Sequence, residues 1–265
     1  MPQLMKEELR ELCKYRELLY MITYRDVTVR YKQSIMGLLW AVLMPILIIG
    51  AGIVVRYAYA VASGKPLQPG DVASVAVKSL PWAFLVSSIR FSCHSPINNQ
   101  NLVTKVYFPK EVFPVAAVMA SLFDFLVASG ALVIFLLIIQ VGSNSQLVWV
   151  PLLLLMMVVL AVGIAMVVSA ASLFFRDVKY VVEVLLTFGI FFTPVFYDVR
   201  MLGDKGHWLL LNPVAPILEG LSASIVRHQP PDLPWLAYSC IFGLTALLGG
   251  YVFFKHLEPV FAESI

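Results

Sequence analysis

The run LVWVPLLLLMMVVLAVGIAMVVSAASLF, residues 147–174, holds no charged side chain and decides the class of fold. A hydrocarbon core of roughly 30 Å is crossed by about 20 helical residues, and this run exceeds that length. Working outward, comparable apolar runs near 36–59, 73–95, 112–139, 179–197 and 235–254 bring the expected spans to six. The second is the most polar, because it holds Lys78, Pro81 and Arg90. Charges that close to its ends are expected to snorkel toward the interfaces. Composition agrees: 60% of residues are hydrophobic and 13% charged, far from the balance of soluble domains. The dispersed prolines and glycines exclude collagen-like and low-complexity readings. A net charge of +3 is too small to argue nucleic-acid binding. Cys13, Cys93 and Cys240 are far apart and form no CxxC pair, so neither a disulfide framework nor a zinc site is implied.

Residues 1–35 are charged and amphipathic, so no signal peptide is expected and the first apolar stretch is expected to stay in the mature protein. Orientation follows from the cations. Twelve of the nineteen lysines and arginines fall in residues 1–35, the segment 96–111, the turn 175–179 and the tail after 254. By the positive-inside rule those segments face the cytoplasm, and six spans return the C-terminus to the same side. Loops 60–72, 140–146 and 198–234 then lie outside.

Three segments outside the spans carry most of the functional information. Residues 7–35 place Leu9, Leu12, Leu18, Leu19 and Ile22 at helical spacing, with Lys6, Arg10, Lys14 and Arg16 on the other side. That pattern fits a helix lying along the cytoplasmic membrane surface, or a soluble tail packed on a partner. In NNQNLVTKVYFPKEVFP, residues 98–114, the side chains of Val103, Val106, Tyr107 and Phe108 either present an exposed apolar knob to another protein or plug the end of the bundle. The loop 198–234 contains LLLNPVAPILEGLSASIVRHQPPDLP, too apolar for a solvated loop and too interrupted by proline to span. Re-entrant half-helices, or a surface helix packed on the outer face, account for it.

Catalytic signatures are missing from the sequence. There is no GxxxxGK[ST], HExxH or GxSxG, and His94, His207, His228 and His256 are scattered. No ATP hydrolysis is expected of this chain alone, and no metal site. Asp124 is the one acid central to a span, where a structural hydrogen bond to another helix is favoured over a proton site. Arg56, Glu183 and Glu219 fall near span boundaries. No internal repeat of the kind seen in secondary carriers is visible. Ala161, Ala165 and Ser169 form a stripe of small residues on the fourth span, serving either the bundle or a dimer.

Four stretches, in order along the chain, carry a family resemblance: RDVTVRYKQSIMGLLWAVLMPI from Arg25 to Ile46, LPWAFLVSSI, LVTKVYFPKEVFPVAAV and RDVKYVVEVLL. Together they resemble the ABC-2-type permeases that export polysaccharides and polyol phosphates, such as O-antigen, capsule and teichoic acid chains. The resemblance implies an all-α membrane protein with six transmembrane helices, an N-terminal amphipathic interface helix (1–35), a cytoplasmic coupling helix (98–108) and external re-entrant gate helices (198–230). The transmembrane domain would cover 36–254, with 255–265 a cytoplasmic tail. It further implies a homodimer in the bacterial cytoplasmic membrane with two ATP-binding cassette subunits, which carry ATP and Mg, while this chain carries no cofactor.

Roles for individual residues follow from the same resemblance. Arg25, Arg30, Tyr31 and Lys32 would stand where a lipid-linked diphosphate approaches. Basic side chains attract phosphate and arginine grips it bidentately, although the positive-inside rule alone would also put cations there. Asn101, Leu102, Val103, Lys105, Val106, Tyr107 and Phe108 would couple to the ATPase. A sugar chain needs hydrogen bonds and aromatic faces along its path. Tyr57, Tyr59, Trp82, Phe84, Phe188, Phe191, Phe192, Phe196 and Tyr197 are the candidates, against the alternative of interfacial belts and plain packing. Rival readings are an ABC-2 exporter of drugs or lipids, and a membrane scaffold that transports nothing.

Overall fold

A computed structural model describes residues 15–32, 36–64, 66–100, 102 and 108–261, with Asp204 described in its backbone alone. Among the described residues the secondary structure is entirely helical: α1 (Arg16–Tyr31), α2 (Leu39–Ser63), α3 (Pro69–Asn98), α4 (Val112–Ile138), α5 (Trp149–Phe174), α6 (Val178–Gly189), α7 (Val214–Ile225) and α8 (Leu233–Leu257), with short 3-10 segments at Ser145–Val148, Val199–Leu211 and Glu258–Val260. Among the described residues, five helical stretches are long and apolar enough to cross a membrane.

The two ends of the bundle are defined by contacts between helix termini. At one end Ser172 donates to the Cys93 carbonyl at 2.7 Å, the Lys110 amide donates to Glu258 at 3.0 Å, and Lys255 pairs with Glu111 at 3.0 Å. Late α3, early α4, late α5 and late α8 therefore meet there. At the far end Ser74 and Lys78 of early α3 reach Asp198, Asn144 donates to the Ser224 carbonyl, and Tyr238 donates to the Leu211 carbonyl.

Residues 175–198 consequently run from the first end to the far end, as the expected fifth span does, but not as one helix. The helix expected over 179–197 stops at Gly189, and turns occupy 190–197. Pro194 explains the stop: it lacks an amide hydrogen and drives the residue before it out of helical geometry. Thr193 completes the turn by donating to the Gly189 carbonyl at 2.8 Å. The loop expected over 198–234 forms a 3-10 segment and then α7, with a 112° bend between Lys205–Leu211 and Val214–Ile225.

The most polar span, α3, is also the most buried. Ser74, Lys78, Ser79, Ser88, Ser92 and Ser95 are all enclosed, because α3 is surrounded by α4, α5, α6 and α7, where Ser74, Lys78, Ser92 and Ser95 find protein partners. Its start is fixed by a capping box between Gln68 and Asp71, with proline in the first turn. Large apolar side chains of α2 and α4, such as Leu47, Val54, Ile134 and Leu137, stay uncovered, as helices facing lipid require.

Close approach of α5 and α8 is set by glycine. A Cβ on Gly163 would collide with the Ala246 and Leu247 backbone, and one on Gly250 with the Gly163 carbonyl. The small-residue stripe belongs to the bundle: Ala161, Ala165 and Ser169 are fully enclosed within it. The C-terminal tail is not free either. Phe261 is buried against Phe254 and Phe174, beside Phe108, Phe113 and Ile22.

Candidate functional site

Between the end of α1, the first half of α2, the middle of α3 and α4, and α6 lies a pocket of about 590 Å³. Its walls are apolar, with Trp40, Trp82, Phe84 and Phe125 among them, and its polar groups are few. Of its two cations among the described residues, one comes from α1. Ile22 anchors that helix near Val112 and Phe113, and it then runs along α4 until Arg30 reaches Asp124. Twelve residues of α4 separate Val112 from Asp124, a climb of about 18 Å. The expected surface helix therefore ends halfway along a spanning helix.

At that point Arg30 donates to one Asp124 oxygen at 2.6 Å and the Tyr31 hydroxyl donates to the other at 2.5 Å. The Arg30 guanidinium also lies 3.7 Å from the centroid of the Phe91 ring. The pair is largely enclosed, with side chains 15% and 19% exposed. Burial pushes the Tyr31 phenol well above its ordinary pKa, and the Asp124 carboxylate that accepts its proton adds to the shift. A second cation of the pocket, Arg90, is likewise matched, by Glu183 of α6 at 2.8 Å. The pocket is thus electrically balanced by pairs drawn from four helices.

A second charged cluster sits at the far end. Lys78, fully buried, donates to the Tyr197 carbonyl at 2.6 Å, to Asp198 at 2.7 Å and to Glu219 at 3.1 Å. Arg56 donates to Asp198 at 2.5 Å and lies 3.5 Å from Asp71. Arg227 pairs with Glu219 at 3.1 Å, and Ser74 bridges Asp198 and Ser222. Burial works to raise the Asp198 pKa, but the charges and hydrogen bonds of Lys78 and Arg56 outweigh it and hold the carboxyl well below the usual range. Three cations and three acids thereby join α2, α3, the 190–198 turns and α7. A smaller pocket of about 300 Å³ lies beside them, lined by Arg56, Tyr59, Gln68, Asp71 and Met201 among others.

Of the four expected entrance residues, Arg30 and Tyr31 line the large pocket. Arg25 does not, being paired with its neighbour Asp26 on an open face, and Lys32 is exposed at the helix end. Trp82 and Phe84 also line the pocket. Tyr59 borders the small one, whereas Tyr57, Phe188, Phe191 and Phe192 are exposed. Phe196 is buried, packed where Gly52 and Val75 approach each other, and the Tyr197 hydroxyl donates to the Phe191 carbonyl. Asn101, Val103, Lys105, Val106 and Tyr107 lie outside the described residues. Leu102 is half-buried, and Phe108 is turned inward against Phe113 at 5.4 Å between ring centroids. Phe108 is therefore part of the core and not of an exposed knob, because its own ring completes the cluster around Ile22.

Sequence reasoning found Asp124, Arg56, Lys78, Arg90, Glu183 and Glu219 singly but paired none of them, took Arg227 only as a cation of the outer loop, and missed Asp198 and Ser222. Their common signal is the cost of leaving a charge unpaired in a nonpolar bundle, which requires each cation to find an acid. Among the described residues no group of three or more histidines, cysteines or acids is arranged to hold a metal ion.

A family model described as ABC-2 type transporter matches residues 17–226. The O-antigen export system permease protein RfbA of Myxococcus xanthus is 27% identical over 259 residues, covering 97% of this chain and 98% of that protein. A Klebsiella pneumoniae protein of the same name is 29% identical over 251 residues, covering 94% and 95%. Both helical pockets described above fall within the matched stretch.

Proposed function

This chain belongs to the ABC-2 type transporter family, and from that premise we propose that it is the permease subunit of an ATP-driven exporter of a lipid-linked polysaccharide. The cargo is an O-antigen-like or related cell-surface glycan, and the membrane is the bacterial cytoplasmic membrane. The observation that carries this reading is the near-complete coverage, end to end, by relatives named as O-antigen export permeases. Two copies pair, and each receives one ATP-binding cassette subunit that holds ATP and Mg. Both termini face the cytoplasm, as the cation asymmetry supports.

The anionic lipid headgroup enters at the pocket where α1 meets Asp124. Arg30 and Tyr31 supply donors there, and the apolar walls suit a lipid chain. Arg25 and Lys32 attract the headgroup from outside the pocket without gripping it. The glycan follows past Trp82 and Phe84, whose faces accept the C–H patches of sugar rings. The bent pair formed by 199–211 and α7 acts as a re-entrant gate at the outer end, held closed by the Lys78, Asp198 and Glu219 network. Residues 98–108 dock on the ATPase, with Leu102 and the stretch through Tyr107 forming the contact and Phe108 its inner anchor.

Liposomes containing the permease and its ATPase test the reading. Glycan on a prenyl diphosphate carrier should stimulate ATP hydrolysis and become protected inside the vesicles. Stimulation by small amphiphiles without any glycan transfer would make this a drug or lipid exporter, and a chain that neither binds nor stimulates an ATPase would be a scaffold.

A further inference from the structure

Both arginines among the described residues that line the large pocket are paired with a carboxylate from another helix, and one of those carboxylates, Asp124, accepts from two donors. Asp124 receives one bond from Arg30 and one from Tyr31, each to a separate oxygen, which is the two-point grip that an arginine and a hydroxyl give a phosphate. Arg30 has a second support besides Asp124. Its guanidinium rests on the Phe91 ring, and Phe91 follows Arg90, whose own partner is Glu183. If the carboxylate swung aside, Arg30 and Tyr31 would stay as preplaced donors facing the pocket, beside a second arginine.

We propose that Asp124 is a displaceable counter-ion, an internal stand-in for the phosphate or diphosphate group of the substrate. While the pocket is empty Asp124 holds Arg30 and Tyr31; an incoming phosphate takes both donors, and Asp124 is released. The consequence is selectivity. A neutral lipid has nothing to offer Arg30 that Asp124 does not already give, so it cannot displace the carboxylate, whereas a group with two negative charges can compete for Arg30 and Arg90 together. This inference rests on the proposal that the headgroup enters at this pocket.

The test uses the permease with its ATPase in nanodiscs, following both ATP hydrolysis and tryptophan fluorescence, since Trp40 and Trp82 line the pocket. Prenyl diphosphate, prenyl alcohol and inorganic pyrophosphate are titrated separately. The diphosphate lipid should act and the alcohol should not, and a response to pyrophosphate of equal midpoint would assign the recognised group to free solute instead of a lipid. Asp124→Asn, which keeps a carbonyl acceptor for Tyr31 but removes the competing charge, should lower the diphosphate midpoint about tenfold. Asp124→Ser, which removes the same competing charge with a smaller side chain and leaves both donors in place, should also lower it about tenfold, so the proposal stays testable even if Asp124→Asn fails to accumulate. Arg30→Gln should raise it about tenfold. Unchanged midpoints in Asp124→Asn and Asp124→Ser with a raised midpoint in Arg30→Gln overturn the displacement alone. An unchanged midpoint in Arg30→Gln overturns the entrance reading with it.

Discussion

The Lys78 ammonium lies 2.7 Å from the Asp198 carboxylate, joining two residues 120 positions apart in a site where the lysine has no exposure at all. Because Glu219 and the Tyr197 carbonyl take its remaining donors, this one side chain fastens α3 to both the 190–198 turns and α7. Removing it by Lys78→Met leaves Asp198 and Glu219 short of a cation and should cost about 3–5 kcal/mol. Asp198→Asn in the same chain should restore part of that loss. Thermal unfolding in detergent of the two single variants and the double variant measures both effects, and strictly additive losses would show that the pair is not coupled.

Acid sensitivity follows from the same site. With its folded pKa held below the unfolded value of about 3.9, Asp198 contributes stability that is complete above pH of about 4 to 5 and is lost only as pH falls through the lower folded value. Between pH 8 and 5 its contribution should be constant. Unfolding midpoints below pH 4 should fall less steeply in Asp198→Asn than in the parent, and a parallel fall would remove Asp198 from the account.

The contact of Gly163 with the α8 backbone and of Gly250 with the Gly163 carbonyl leaves no room for a side chain. Gly163→Ala should force α5 and α8 apart at about 1–3 kcal/mol. Gly249→Ala, next to Gly250 but with open space around it, is the control that should stay within a few tenths of a kcal/mol of the parent or gain from reduced chain entropy. Equal unfolding curves for Gly163→Ala and the parent would contradict the packing.

Phe108 separates core from coupling. Buried in the cluster of Ile22, Phe113 and Phe261, it should cost about 3–5 kcal/mol when cut to alanine, and export should fall in step with the amount of folded protein. Tyr107→Ala, if Tyr107 contacts the ATPase, should lower ATPase association without moving the unfolding midpoint. A Phe108→Ala protein of parental stability but without bound ATPase would reverse the two roles.

Topology is checked on a cysteine-free background. Ser63→Cys and Ser143→Cys, exposed at the far end, should react with an impermeant thiol reagent applied outside, and Asp177→Cys should not. Labelling of Asp177→Cys from outside would invert the orientation.

Several parts of the fold were legible in the residue order because they depend on local chemistry. Spans 36–59, 73–95, 112–139 and 147–174 correspond to α2 to α5, since uninterrupted apolar runs of that length leave a helix as the one way to satisfy their backbone in lipid. The fifth span, expected as one helix over 179–197, is instead the 12-residue α6 followed by turns, and it is not among the stretches long enough to cross as a helix. Hydropathy counted 190–197 as helix, and it is insensitive to the effect of Pro194 on the backbone before it. In the site, Arg30 and Tyr31 were named and their meeting with Asp124 was not. Arg25 looked equivalent to Arg30 by composition, and the neighbour Asp26 distinguishes them.

What the sequence by itself determined is the solvent this chain lives in, the position of its long spanning helices, and the type of residue found along them, because these follow from transfer energies summed along contiguous stretches. What only the tertiary structure decided is which charge faces which. Arg56 and Asp198 are 142 positions apart, and Arg30 and Asp124 are 94. An unpaired ion in an apolar bundle costs several kcal/mol, so the sequence requires that each find a partner. The choice among partners is made by the helix packing, through Gly163, Gly250 and the small faces that bring distant stretches into contact.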